Sequence, residues 1–224
     1  MSTSTAACCS LKHLPSQQLN LDERRRPARP AVLVIVFEEL IVIDFSIRAE
    51  RPADAQTIAA VQNAAFGKDK AIPALVADLR AMDQWPLKSQ SLVAEVAGVL
   101  VGHVMLSHVH IDAPTQLIDA LVLSPLGVHP DFQGQGCGTS LIKAAIQVAQ
   151  QAGAPALFLE GSPGYYGQRG FSPAVELGFR RPSTRIPDKA FQVVTLKGFE
   201  PSMTGTMVYH DVHWRHGVGL YPRP

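Results

Sequence analysis

The spacing of apolar and polar residues divides the chain into an unpatterned start and a regular remainder. Residues 1 to about 30 are rich in Ser, Thr, Gln, Arg and Pro and follow neither a helical nor a strand period, which predicts a disordered lead-in. Ala31–Phe45 is apolar but broken by Glu38, Glu39 and Asp44. It reads either as one β element or as an extension that the domain does not need. Strand character begins at Phe45–Arg51. Pro52–Phe66 then fits a helix, with Pro52 suited to the first turn, Ile58, Val61 and Ala65 on one face, and Gly67 at the end. A second helix fits Ala71–Met82, where Ile72, Leu75, Val76, Leu79 and Met82 share a stripe.

The pattern then turns to strands. Leu92–Val96, a tight turn at Ala97-Gly98 and Val99–Ile111 read as a hairpin. Leu117–Val128 is a further strand. It is interrupted at Ser124-Pro125, because proline donates nothing to a ladder, so a bulge or an unpaired stretch is expected there. Leu141, Ile142, Ala145, Ile146, Ala149 and Ala152 mark a helix that Gly153 caps and Pro155 stops. Ala156–Glu160 is a short buried strand, and strand–helix–strand in this order predicts a right-handed parallel crossover. A very short helix follows, with Ser162 as N-cap, Pro163 in first position and Gly170 at its end. Phe191–Leu196 and Met207–Val212 read as closing strands. The fold class is α/β (α+β), with a mixed sheet flanked by helices. The expected division is an N-terminal extension over 1–44, a domain over 45–214 and a tail over 215–224.

Composition narrows the function. The 224 residues fit one domain, or one with an appendage. Hydrophobic residues make up 46% and charged residues 17%, which excludes a collagen-like or mucin-like chain. The net charge is +1, so nothing supports a dedicated nucleic-acid partner. The basic run Arg24–Arg29 reads as a solvated linker. Cys8, Cys9 and Cys137 are the three cysteines, which excludes a disulfide scaffold and points to a reducing, cytoplasmic setting. Ala31–Phe45 is too short and too charged for a membrane span of ~20 apolar residues. No signal peptide is read, because Arg24, Arg25 and Arg26 come late and no cleavage site follows.

The segment between the interrupted strand and the long helix carries the chemistry. It runs Val128-His129-Pro130-Asp131-Phe132-Gln133-Gly134-Gln135-Gly136-Cys137-Gly138-Thr139. Glycines there let the backbone turn N–H groups toward a ligand, and the helix adds its positive end, so the place suits a phosphate or diphosphate. A Walker loop fails for want of a lysine after Gly136 or Gly138. A Rossmann loop fails because Thr139 stands where its third glycine belongs. A glycine-rich turn with no ligand stays open on these grounds alone.

The segment resembles the acyl-CoA loop of the GCN5-related N-acetyltransferases, whose core is Gln/Arg-x-x-Gly-x-Gly/Ala preceded by Val-x-Pro. Gln133 to Gly138 and Val128-His129-Pro130 fit it at every position. Two further features of that family occur in order. One is the hairpin Val93-Ala94-Glu95 … Gly98-Val99-Leu100-Val101-Gly102-His103-Val104. The other is Tyr166-Gly167-Gln168-Arg169-Gly170-Phe171. The resemblance spans about Phe45 to Trp214, and is nearest to a subgroup with Pro-Leu-x-Val (Pro125 to Val128) before the loop and Tyr-Tyr-Gly-x-x-Gly-Phe after it.

The resemblance implies a mostly antiparallel central sheet, and an acyl-CoA-dependent N-acyltransferase that moves acetyl from acetyl-CoA to a primary amine of a small molecule or protein. It implies that Gln133, Gly134, Gln135, Gly136, Cys137, Gly138 and Thr139 hold the cofactor. The main chain of Leu126 and Val128 would meet the pantetheine arm and acetyl carbonyl, and Tyr166 would meet the leaving sulfur. Cys137 is not expected to be a nucleophile, and Tyr165 is expected to pack elsewhere. For the base, Glu95, Asp119, His103 and Glu160 stay open. Many family members carry an Asn where this chain has Glu160-Gly161-Ser162-Pro163. His108 and His110 share a strand face, and His210, His213 and His216 recur every third residue beside Asp211. Neither set has the carboxylate or cysteine partners of a closed site, so no metal is expected. No membrane partner is expected, and a homodimer stays open. The rival reading is a non-catalytic acyl-CoA sensor or interaction module on the same fold.

Overall fold

A tight turn with positive φ at Ala97 (49°) and Gly98 (79°) reverses the chain between the first two long strands. These angles match the twist that a hairpin needs. The computed structural model describes residues 43–67, 71–82 and 85–219; the expected extension lies, as far as residue 42, outside the described residues. Strand β1 (Ser46–Ala49) leads through a single 3₁₀ turn at Pro52–Asp54 into α1 (Ala55–Phe66) and α2 (Ala71–Arg80). β2 (Gln90–Val96), β3 (Val99–Asp112) and β4 (Leu117–Val128) form an antiparallel meander. Then come α3 (Cys137–Gln151), β5 (Ala156–Glu160), the single-turn α4 (Pro163–Tyr166), β6 (Ser172–Pro173), β7 (Phe191–Thr195), β8 (Thr206–Val208) and α5 (Asp211–Arg215).

The sheet order is β1-β2-β3-β4-β5-β7-β6, with β8 paired to β3 off this path. Among the described strands only β4 and β5 pair in parallel, and α3 makes their crossover. The mixed, mostly antiparallel sheet flanked by helices is therefore the architecture that the sequence led us to expect. Alternating strand residues feed two cores. Ala120, Val122 and Phe158 pack with Ile58, Leu75 and Leu79 of α1 and α2. Leu121, Leu123 and Leu157 pack with Leu141, Ile142 and Ala145 of α3. This is the period of two that a sheet covered on both faces requires.

Three local expectations change. Met207–Val212 is not one strand: β8 ends at Val208, and the chain turns into α5, where Asp211 and Arg215 pair at 2.8 Å across one helical turn. Val218 is buried in the first core, so packing continues beyond Trp214. Ser162 precedes α4 but its side chain makes no capping bond; its carbonyl instead accepts from the N–H groups of Tyr165 and Tyr166. Among the described residues no helix is long and apolar enough to cross a membrane.

A buried polar relay ties α1 to the meander. The Gln62 amide nitrogen lies 2.6 Å from His103 Nδ1, and His103 Nε2 lies 2.9 Å from Ser91 Oγ. Ser91 donates in turn to Glu50, which pairs with Arg80 at 2.7 Å. With Nδ1 accepting, His103 is neutral and donates from Nε2. Burial, helped by the Arg80 charge, pulls its pKa down to about 3. The unfolded ring has a pKa of ~6.5, so the unfolded chain binds this proton first as pH falls. Stability should therefore decline from pH 6.5 toward pH 3 by about 1.4 kcal/mol per pH unit from this group alone. Urea unfolding at pH 7, 6 and 5 checks this; equal free energies across the series would contradict it.

Candidate functional site

The site begins where the sheet stops closing. β4 and β5 pair only at Leu121–Leu157 and Val122–Phe158. Beyond that register β4 runs on to Val128 with no ladder to β5. On its other edge β4 stays paired to β3, through a register shift in which Ser124 and Pro125 oppose the single residue Met105. This is the bulge the proline predicts. The Ser124–Pro125 peptide is cis. The result is a notch between the end of β4 and the segment from Glu160 through α4.

The glycine loop closes one end of the notch. Gly134 (φ 74°) and Gly136 (φ 96°) take left-handed conformations open to glycine. Gln133 and Gln135 pin the loop to itself. The Gln133 amide donates to the Val128 carbonyl at 2.9 Å, and that of Gln135 donates to the Asp131 carbonyl at 2.7 Å. The first bond of α3 is Ser140 N–H to the Gly136 carbonyl. Among the described residues, the N–H groups from Gly134 to Thr139 have no acceptor. Six donors at the positive end of a 15-residue helix form an anion cradle.

Cys137 is turned away from this cradle. Its side chain is buried, and a Cβ on Gly102 of β3 would come within 2.9 Å of its sulfur. Burial raises the thiol to about 11, so it is an uncharged packing group, and only its main chain faces the loop.

Two cavities adjoin in the notch. The first, ≈ 340 Å³, is lined by Leu126, Val128, Gln133, Gly134, Gly138, Tyr165 and Tyr166. The second, ≈ 170 Å³, is walled by Ser124, Pro125, Leu126, Glu160, Tyr166 and Tyr209, with Phe66, Ile72 and Val218 as apolar neighbours. Leu126 and Tyr166 belong to both. The Tyr166 ring lies against Gly161, where a Cβ would stand 2.2 Å from a ring carbon. Gly161 is itself fixed by Ala190 and Gln192, at 2.9 and 3.1 Å.

Of the expected site residues, Leu126, Val128, Gln133, Gly134, Gly138 and Tyr166 thus line one cavity, and Gln135, Gly136, Cys137 and Thr139 belong to the adjoining loop and helix start. The expectation for Tyr165 is corrected. Its ring borders the same cavity and its hydroxyl stands over Gly138, 2.3 Å from where a Cβ would be. Arg169 holds it there. The guanidinium sits 3.7 Å from the ring centre, donates to the Tyr165 carbonyl, and reaches Thr139 Oγ1 at 3.0 Å. The sequence carried a weak sign of this, since Arg169 lies inside the Tyr-x-x-x-Gly-Phe run.

The four base candidates separate. Glu95 is held by Arg48, Asp119 lies against His108, and His103 is sealed in its relay. Glu160 alone among them borders the cavities, where Tyr209 donates to it at 2.6 Å.

Away from the notch, the fold joins two histidine sets that the sequence holds apart. His108, His110 and His210 present ring nitrogens within 4.8 Å of one another. Asp119 supplies the carboxylate that neither set had in sequence, 2.7 Å from His108 Nε2.

A profile of the acetyltransferase (GNAT) family matches residues 59–171, and the chain belongs to that family. A protein of Escherichia coli (strain K12), the uncharacterized N-acetyltransferase YjhQ, is 32% identical over 148 residues, spanning 64% of this chain and 78% of that protein. The crystal structure of the Escherichia coli GNAT family N-acetyltransferase YhbS in complex with CoA is 29% identical. It covers 77% of this chain and 93% of its own, with a TM-score of 0.67. A GNAT family acetyltransferase from Brucella melitensis in complex with acetyl-CoA is 31% identical, covering 75% and 97%, with a TM-score of 0.59.

Gly161→Ala should push the Tyr166 ring off its seat. The cost should be about 1–3 kcal/mol, as for overpacking elsewhere, read from the urea midpoint. An unchanged midpoint would mean that the ring has another place to go.

Proposed function

We propose that the chain transfers the acetyl group of acetyl-CoA to a primary amine by direct attack on the thioester, within the notch between β4 and α4. The observation that carries this is the set of six uncommitted N–H groups from Gly134 to Thr139 opening into a cleft that ends at Tyr166. The relatives from Escherichia coli and Brucella melitensis, which hold CoA and acetyl-CoA, support it.

The amides of the loop and the start of α3 take the diphosphate, and the Arg169 guanidinium beside Thr139 adds a full positive charge. The pantetheine arm follows the unpaired edge of β4 past Val128 and Leu126. A main-chain N–H there, aimed at the acetyl oxygen, is worth ~3–4 kcal/mol once that oxygen carries the negative charge. The thioester then lies at Tyr166, the wall shared by the two cavities.

The acceptor enters through the smaller cavity. Its volume suits a small amine or the end of a longer one, and the Glu160 carboxylate in its mostly polar wall attracts an ammonium group. Glu160 takes the proton, directly or through water, and the free amine attacks the carbonyl carbon. The N–C bond forms as the C=O pair moves to oxygen. Return of that pair breaks the C–S bond, and the extra proton on the attacking nitrogen passes by way of Tyr166 to the departing thiolate, leaving a neutral amide and the CoA thiol. A phenol near ~10 and an alkyl thiol near ~8.5 are close enough in acidity for Tyr166 to hydrogen-bond or protonate the departing sulfur.

Titration calorimetry with acetyl-CoA should show one saturable site, and Gly136→Glu should abolish it by clash and repulsion with the diphosphate. No heat with the unaltered protein would remove the assignment, and binding without CoA release across an amine panel would make the chain a sensor. A second pair of variants separates chemistry from binding. Tyr166→Phe should lower kcat by ~10²-fold with the acetyl-CoA Kd nearly unchanged. Glu160→Gln should lower kcat/KM by at least ~10²-fold and remove the acid limb of its pH profile. Wild-type turnover in either variant strikes that residue from the mechanism.

A further inference from the structure

We propose that His108, His110 and His210 bind one divalent transition-metal ion of the zinc class, with Asp119 as the carboxylate that orients His108. The three rings come from two chain segments. His108 and His110 project from one face of β3, and His210 from the turn just before α5. Asp119 stands directly across the ladder from His110.

The arrangement has the parts of an imidazole site in working order. Asp119 Oδ1 is 2.7 Å from His108 Nε2, so that nitrogen carries the proton and His108 Nδ1 is left with its lone pair. Nδ1 faces His210 Nε2 at 2.7 Å. A carboxylate holding the far nitrogen of a ligating imidazole is the usual second layer of a zinc site. His110 stands edge-on to both other rings, at 4.7 and 5.2 Å between centroids. Its nearest polar partner is Asp119 Oδ1 at 3.7 Å, and among the described residues it has no hydrogen bond. Trp85 covers the group, stacked on His108 and His210 at 5.1 and 4.2 Å. It excludes water from one side while His110 remains partly open.

At Zn–N distances of about 2.0–2.1 Å, tetrahedral ligand nitrogens lie roughly 3.3 Å apart. His210 therefore moves outward by about half an ångström, with its Nε2 proton shifting to Nδ1, and the His110 ring, whose nitrogen lies within 4.8 Å of the other two, turns inward to complete the set. Three nitrogens leave a fourth position for water. All-imidazole coordination favours zinc, cobalt, nickel or copper over magnesium or calcium. None of His108, His110, His210 and Asp119 lines either cavity of the notch.

The test uses the untagged full chain after chelator treatment, with Co²⁺ as probe and Zn²⁺ as competitor. Trp85 and Trp214 are the two tryptophans, so in a Trp214→Phe background Trp85 reports alone. One Co²⁺ per chain should quench Trp85 saturably, give the visible band of low-coordinate cobalt, and be displaced by Zn²⁺. His110→Ala and His210→Ala should each weaken binding by more than about 100-fold. Asp119→Asn should weaken it by about 10–100-fold, and His110→Cys, which keeps a ligand, should retain it. Circular dichroism and the acetyl-CoA titration show that each variant is folded. Absence of saturable quenching and of the cobalt band overturns the site, as does unchanged binding in the His110→Ala, His210→Ala double variant.

Discussion

Closing a parallel pair of strands all the way along would fill the sheet and leave no room for a ligand. Here the pair β4–β5 closes for two residues on each strand and then parts. The constraint behind this lies in β4 itself. Pro125 gives no donor, and two residues on β4 oppose one on β3, so the strand bends while its β3 edge stays bonded. Everything at the site depends on that separation. The loop of α3 is exposed at its mouth, Tyr166 stands at its centre, and Glu160 ends the strand on the far side.

The small residues around the notch act by what they exclude. Gly161 gives the Tyr166 ring a seat, Gly138 gives the Tyr165 hydroxyl room, and Gly102 lets Cys137 sink into the core beneath α3. At Gly161 and Gly138 an ordinary side chain would displace a ring that borders the cavity. The loop glycines serve a different need. Gly134 and Gly136 meet nothing in space but hold left-handed backbone, which turns N–H groups outward without strain.

Much of this was readable from residue order, because the information is local. The Ala97-Gly98 turn, the β4 break at Pro125, the loop from Gln133 to Thr139 and the short helix after Pro163 are each written in consecutive residues. What was not readable depends on where distant segments meet. Tyr165 and Tyr166 are neighbours on a single turn, and only the room left by Gly138 for one and by Gly161 for the other brings both to one cavity. Glu160 could not be told from Glu95 or Asp119 until the sheet placed it beside Tyr166. The turn from β8 into α5 was read as strand because Val208, Tyr209 and Val212 are apolar. Tertiary contacts override that period: the Tyr209 hydroxyl reaches Glu160, and Val212 packs in the core. The convergence of His210 with His108 was likewise invisible across about a hundred residues.

The burial of Cys137 has a chemical consequence. A cysteine in a glycine-rich loop at a helix start usually invites ionisation, since the local field favours a thiolate. Folding inward under Gly102 reverses that tendency. The loop therefore offers electrophiles and peroxides no sulfur of its own, although the substrate it serves is a thioester whose product is a thiol. Acetyl exchange onto Cys137 is closed off.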